Sequence, residues 1–268
     1  PQRADVVKKD AAKASCRKIA VGLAALACFA WAGITQAAEI KALVALGFKD
    51  VIEDLGPKFE KASGHKLVFK LENFGPTLKA AQSGDAADIV IMPSRGIETL
   101  AKEGKVTKGS ETNLARSEVV IFVRKGAPKP DISTPDALKR SLLAAKSITY
   151  SDPAGGGASA VHFAKVADQL GIAKELKSKT IYSKPGRDTG DFVAAGKAEL
   201  GVNQLQVIMP VSGIDVVGPL PGDLQGTTVF TSAILARAQN AAGAQALVKF
   251  LRTPEAAKVI KAKGMNPT

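Results

Sequence analysis

Apolar positions along this chain follow two alternating periods. From residue 39 onward, short runs rich in β-branched residues give way to stretches where apolar side chains recur every three or four positions, and this predicts strands and helices in turn. Glu39 to Leu46 (EIKALVAL) reads as a strand. Gly47-Phe48 then leads into a helix from Lys49 to Gly64, with Val51, Ile52, Leu55 and Phe59 at helical spacing. Lys66 to Leu71 (KLVFKL) is a second strand and Thr77 to Ser83 a second helix. Asp88 to Met92 (DIVIM) is a continuous apolar strand entering Pro93-Ser94-Arg95-Gly96. A βαβαβ order of this kind predicts a parallel sheet with helices on both faces.

Glu118 to Arg124 (EVVIFVR) begins a second series. The helix after it is announced by Ser133-Thr134-Pro135-Asp136, which supplies a capping hydroxyl, a proline in the first turn and an acid near the positive end. Ser147 to Tyr150, KTIYS (179–183), ELGVNQ (199–204) and GIDVVGPLP (213–221) read as strands, with helices at Ala158 to Leu170 and Asp188 to Ala195. TTVFTSAILA (227–236) and helices at Ala241 to Leu251 and Pro254 to Lys263 close the chain. The predicted fold class is therefore α/β, in two halves that are related in plan without a clear sequence repeat.

The first 37 residues break this pattern. Lys8, Lys9, Lys13, Arg17 and Lys18 precede an apolar run from Ile19 to Gly33, and Thr35-Gln36-Ala37 offers small residues at the positions a signal peptidase reads. The expectation is a leader and signal peptide at 1–37, cleaved after Ala37. The run is shorter than the roughly 20 apolar residues of a membrane anchor, and polar residues follow at once. A lipoprotein reading through Cys28 is weaker, because Ala25 stands where a leucine is usual. Cys16 and Cys28 both fall in this segment, so the remainder has no thiol for a disulfide, a metal or nucleophilic attack. Residues 1–37 also carry six of the 37 Lys/Arg and two of the 25 Asp/Glu, so the formal charge falls from +12 to +8 without them. The remaining lysines are scattered singly and aromatics make up 5% of the chain, a pattern that speaks against nucleic acid and for a small anionic ligand or a solvated basic surface.

Ligands of open α/β sheets bind beyond the carboxyl ends of the strands. That rule selects Gly47 and Phe48, then Asn73 to Thr77 with Gly75 and Thr77, then Pro93 to Arg95 with Ser94 and Arg95. In the second half it selects YSDPAGGGAS (150–159). This stretch lacks the lysine of a phosphate loop, and Ala160 stands where the dinucleotide fingerprint needs its third glycine. Backbone N–H groups at Gly156, Gly157 and Ser159, at a helix start, still suit an anion; the alternative is a turn whose glycines only permit positive φ. His162 lies one turn beyond Ser159 and could share its face, or be a helix histidine with no chemical role. His65 reads as surface decoration. Arg187 precedes the helix starting near Asp188 or Thr189, where guanidinium and helix N-terminus would converge on a carboxylate; a surface ion pair with Asp188 or Asp191 is the alternative. No G-x-S-x-G elbow is present, and two histidines without cysteine make a poor zinc set. No cofactor and no metal is expected.

Four strings, GFKDVIEDLGPKFEKASGHKL (47–67), GDAADIVIM (84–92), YSDPAGGGAS with FAK (150–165) and ALVKFLRTPEAAKVIKAKGM (246–265), are similar to the periplasmic solute-binding proteins of ABC transporters, in the molybdate-binding family. The resemblance covers essentially all of the chain beyond residue 37. It implies the two-lobed type II fold, each lobe a mostly parallel sheet flanked by helices with the ligand cleft between. One lobe would comprise 38–120 and 231–268 and the other 121–230, hinged near Val120 and Phe230. It further implies a periplasmic monomer clamping a small oxyanion or organic carboxylate, an ABC permease as partner, and membrane contact only through the removed signal. Molybdate binders place serines after the first strand and in the loop after the second, and a tyrosine in a returning strand of the second lobe. This chain has Gly47, Gly75 or Pro76, and Asn203 there. The expected contacts include Asn203 and Gln204. GF (47–48), GAPKPDIST (126–134), AKSITYSD (145–152) and PVSGIDVVGPLP (210–221) resemble a branch that includes aconitate isomerase. On that alternative a base would move a proton on a bound tricarboxylate, with His162 the first candidate and Asp152 the second.

Overall fold

The computed structural model describes residues 38–155, 157–184 and 188–268; the predicted leader, Gly156 and Arg187 lie outside them. In the first half, β1 (Glu39–Ala45), β2 (Lys66–Glu72) and β3 (Ile89–Pro93) run parallel in the order β2-β1-β3. Helix α1 (Lys49–Ser63) buries Val51, Ile52, Leu55 and Phe59, the face its spacing predicts. Helix α2 (Phe74–Ser83) begins three residues earlier than the pattern suggests. Gly75 and Pro76 sit in its first turn, where a missing N–H has no intrahelical acceptor to lose. Helix α3 (Ser94–Lys102) replaces the expected turn after β3 and buries Ile97 and Leu100.

Strand β4 (Thr112–Arg124) joins the halves and starts well before the expected Glu118. Its residues 112–118 pair antiparallel with β9 (Thr227–Ile234). From Val119 onward it pairs instead with β7 (Leu200–Gln204) and with β8 (Ile214–Pro219). In the second half, β5 (Ile148–Ser151) lies between β6 (Thr180–Ser183) and β7, all three parallel. The hydrogen-bonded order is β2-β1-β3-β9-β4-β7-β5-β6, with β8 and the short β10 (Asn266–Pro267) on β4. Helices α4 (Pro135–Ala144), α5 (Ala158–Gln169), α6 (Ala173–Lys177), α7 (Asp188–Ala194) and α8 (Leu205–Ile208) belong to the second half. Helices α9 (Ala241–Leu251) and α10 (Pro254–Ala262) follow β9.

Burial follows the same division. Phe48, Phe59, Ile89 to Met92 and Phe230 form one core with Leu247 of α9 and Ile260 of α10, so the C-terminal helices pack on the first half. Ile121, Leu138, Ile148, Phe163 and Leu176 form a second core. Phe122, Val193 and Ile208 make a third, smaller cluster with Val120. Asp88 ties the first core's edge: its buried carboxylate accepts the backbone N–H groups of Lys41 at 2.9 Å and of Gln239 and Asn240 at 2.8 Å. One side chain thereby satisfies donors on β1 and at the start of α9. Among the described residues no helix is long and apolar enough to cross a membrane.

Candidate ligand cleft

The carboxyl ends of β1, β2, β3, β5 and β7 open into a cleft of about 310 Å³ whose walls come from both halves of the sheet. The helix beginnings around it share a property. Of the seven described helices of nine or more residues, four start here, at Phe48 (α1), Asn73 (α2), Pro93 (α3) and Gly157 (α5), and none of these cap residues bonds its own helix through a side chain. The other three, α4, α9 and α10, are capped by Thr134, Asn240 and Thr253, each accepting from a backbone N–H three residues on. Uncapped first-turn N–H groups carry the positive end of the helix dipole. Several of them facing one cleft favour an anion there.

The floor is a network of neutral polar groups. Asn203 Oδ1 accepts from the backbone N–H of Gln204 at 2.8 Å and from Ser159 Oγ at 3.0 Å, while its Nδ2 donates to Thr189 Oγ1 at 3.3 Å. Thr189 in turn meets Ser183 Oγ at 2.8 Å. Gln206 Nε2 donates to Gln204 Oε1 at 3.3 Å and, across to the first half, to the carbonyl of Gly47 at 3.5 Å. Ser117 Oγ donates to Gln206 Oε1 at 2.5 Å. Phe230, Phe74, Val51, Val207 and Met265 supply apolar wall, and Lys49, Asp50 and Lys263 stand at the lining. Lys263 pairs with Asp54 at 3.1 Å. Lys58 and Lys263 beside Asp54 hold its carboxyl below the usual aspartate value.

Of the residues selected from sequence, Gly47, Gly157, Ser159, Asn203 and Gln204 line this cleft. Phe48 is fully buried and packs its ring 5.8 Å from that of Phe230. Thr77 is buried, its hydroxyl spent on the carbonyls of Glu72 and Asn73, and the cleft is lined instead by Asn73 and Phe74 rather than Gly75. Thr189 sits behind Asn203. Ser94, Arg95 and His162 line a separate cleft of about 240 Å³ with Lys165, sharing only Pro93 and Ala158 with the first. Arg95 lies over the Phe74 ring, 4.2 Å from its centroid. His162 Nε2 lies 2.8 Å from the carbonyl of Leu224, to which it donates. Asp152 is exposed and its carboxylate caps the turn at Ala154. Gly156 and Arg187 lie outside the described residues.

Phe230 and Gln206 were not anticipated as cleft residues. A Cβ at Gly47 would come within 2.6 Å of Phe230 Cζ, so the ring fills the volume in which a serine side chain would begin. Only the pairing of β9 with β3, which sets Phe230 against Pro93, brings the two together.

A family model described as bacterial extracellular solute-binding protein matches residues 40–266, and the chain belongs to that family. An aconitate isomerase from a Pseudomonas species is 36% identical over 227 residues, 82% of this chain and 85% of the relative. The molybdate-binding protein ModA of Azotobacter vinelandii is 32% identical over 256 residues, 92% and 95% of the two chains. Among solved structures, a substrate-binding domain from Clostridium difficile superposes with a TM-score of 0.74 at 15% identity, covering 86% of this chain and 99% of that one. The fold is therefore that of the two-lobed periplasmic binding proteins, with the cleft between lobes.

Proposed function

We propose that this protein is an extracytoplasmic solute-binding protein of an ABC-type uptake system, and that its ligand is an anion, an organic carboxylate in preference to a tetrahedral oxyanion. The observation that carries the anion is the gathering of four uncapped helix starts at one cleft, while the other three described helices of nine or more residues are capped. The observation that favours a carboxylate is Phe230 in the place of a serine side chain at Gly47, with Phe74, Val51 and Val207 extending an apolar wall. Tetrahedral oxyanions present oxygen on every side and gain nothing from such a wall; a carbon skeleton buries apolar area against it.

In this reading the lobes are 38–120 with 231–268 and 121–230, closing by hinge motion. The exchange of β4's partners between Glu118 and Val119 supports a bend there. The separate cores support two bodies. Location in the periplasm, a removed signal peptide and a permease partner complete the proposal.

A second reading rests on the aconitate isomerase relative at 36% identity. It requires a base beside the substrate carbon. The titratable side chains among the described lining residues are Lys49, Asp50 and Lys263; neither Asp152 nor His162 is among them.

Melting the protein against molybdate, tungstate, sulfate, phosphate, citrate and both aconitate isomers tests these readings. A bound ligand at a hundredfold excess over Kd adds about 2.7 kcal/mol to the native state. The proposal expects stabilisation by citrate or aconitate. Stabilisation by molybdate or tungstate alone would contradict it, and interconversion of the aconitate isomers would favour the enzyme.

A further inference from the structure

One buried donor in the cleft has no hydrogen-bond partner among the described residues. Gln204 Nε2 is shielded from solvent and makes no hydrogen bond with any described residue, although Gln204 is only 6% exposed and lines the cleft. A buried amide donor left unpaired is costly, and unpaired groups of this kind in native structures call for an explanation. Its orientation is set by a chain of constraints. The carbonyl of Gly47 can only accept, which favours Gln206 Nε2 on its side, at 3.5 Å, with Oε1 taking the Ser117 hydroxyl at 2.5 Å. The same Gln206 Nε2 donates to Gln204, which fixes Gln204 Oε1 on that side and commits Nε2 to the other. Asn203, by contrast, has its oxygen pinned by the Gln204 backbone N–H and its nitrogen engaged by Thr189.

We infer that Gln204 is a specificity-determining residue: its Nε2 donates to an acceptor oxygen of the bound anion, and the Ser117–Gln206–Gly47 chain holds it in the donor orientation. The site therefore selects a ligand presenting an acceptor oxygen at this point, a carboxylate or oxyanion oxygen above all, and rejects one presenting an ammonium or an amide N–H. The inference rests on the proposal that the cleft binds an anion, and it holds for either anion class.

Titration calorimetry of the full chain with citrate, trans-aconitate and molybdate, alongside Gln204→Met and Gln204→Glu, tests it. Methionine matches the length without a donor and is expected to weaken the best wild-type probe about 10- to 100-fold, the size of one hydrogen bond to a charged acceptor. Glutamate keeps the acceptor for Gln206 Nε2, but it places a second oxygen where the donor was. Its deficit relative to wild type is expected to exceed that of methionine at pH 8 and to narrow towards pH 5, as the introduced carboxyl takes up a proton and donates again. Wild-type affinity in both variants, or a Gln204→Glu deficit that does not change with pH, would overturn the role of Gln204. A wild-type protein that binds none of the three probes would instead overturn the anion reading on which it rests.

Discussion

Gly47 and Phe230 share one volume. The 2.6 Å approach of an added Cβ to the Phe230 ring means that Gly47→Ser forces the ring to move. Overpacking of this kind costs about 1–3 kcal/mol. Phe230→Ala opens a cavity beside Phe48, and combining the two should recover part of the loss, giving a coupling energy above about 0.5 kcal/mol in urea denaturation. Additive losses would show that the ring does not set the residue at 47. Asp88 governs stability rather than binding. Asp88→Ala leaves the N–H groups of Lys41, Gln239 and Asn240 without their acceptor and is expected to cost at least about 3 kcal/mol, with little effect on ligand affinity per folded molecule. At this scale the sequence was a partial guide. Gly157, Ser159, Asn203 and Gln204 stood out because they follow strand ends or a glycine turn. Gln206 did not, since its partners Ser117 and Gly47 are far away in sequence. Asp88 read as the first residue of a strand because nothing local shows that its carboxylate turns inward.

At the scale of elements, helix starts trade stability against binding. Gly157 has the extended φ and ψ of an ordinary cap residue, −61° and 133°, and an added Cβ would meet Ala160 Cβ at a comfortable 3.9 Å. Gly157→Asp should therefore cap α5 and raise stability by about 0.5–1 kcal/mol, while its charge repels the anion and lowers affinity at least tenfold. A variant that is more stable and binds as well as wild type would contradict an anion at this helix start. The contact of α10 with α1 through Asp54 carries its own signature. Because Lys58 and Lys263 depress the folded-state pKa of Asp54, the stability this cluster contributes is present above the ordinary aspartate range and fades as pH falls below about 4. The groups are roughly a third exposed or more, so the effect is at most about 1 kcal/mol and weakens with salt. Comparing the acid limbs of wild type and Lys263→Met measures it. The strand and helix order was legible from periodicity alone through most of the chain. Helix α3 was not, because Pro93-Ser94-Arg95-Gly96 strings together turn-forming residues, and the pull of Ile97 and Leu100 into the first core decides the outcome.

For the whole molecule, β4 is the element that makes two halves into one device. Its partners change between Glu118 and Val119, yet the cleft it spans is lined from both halves. Gln206, on the second half, already reaches the Gly47 carbonyl on the first. The proposed closure should therefore reduce the radius of gyration in solution scattering when ligand is added, with no change in oligomeric state. Sequence periodicity could announce the halves, but the division of the candidate residues between two clefts depends on α3 and α5 approaching each other across Pro93 and Ala158. The most direct test of the account is a crystal structure of the protein with aconitate or citrate bound. The account predicts carboxylate oxygens within about 3 Å of the backbone N–H groups at the start of α5 and of Gln204 Nε2, with the carbon skeleton against Phe230. An anion bound instead in the second cleft, beside Arg95 and His162, with Gln204 still unpartnered, would contradict it.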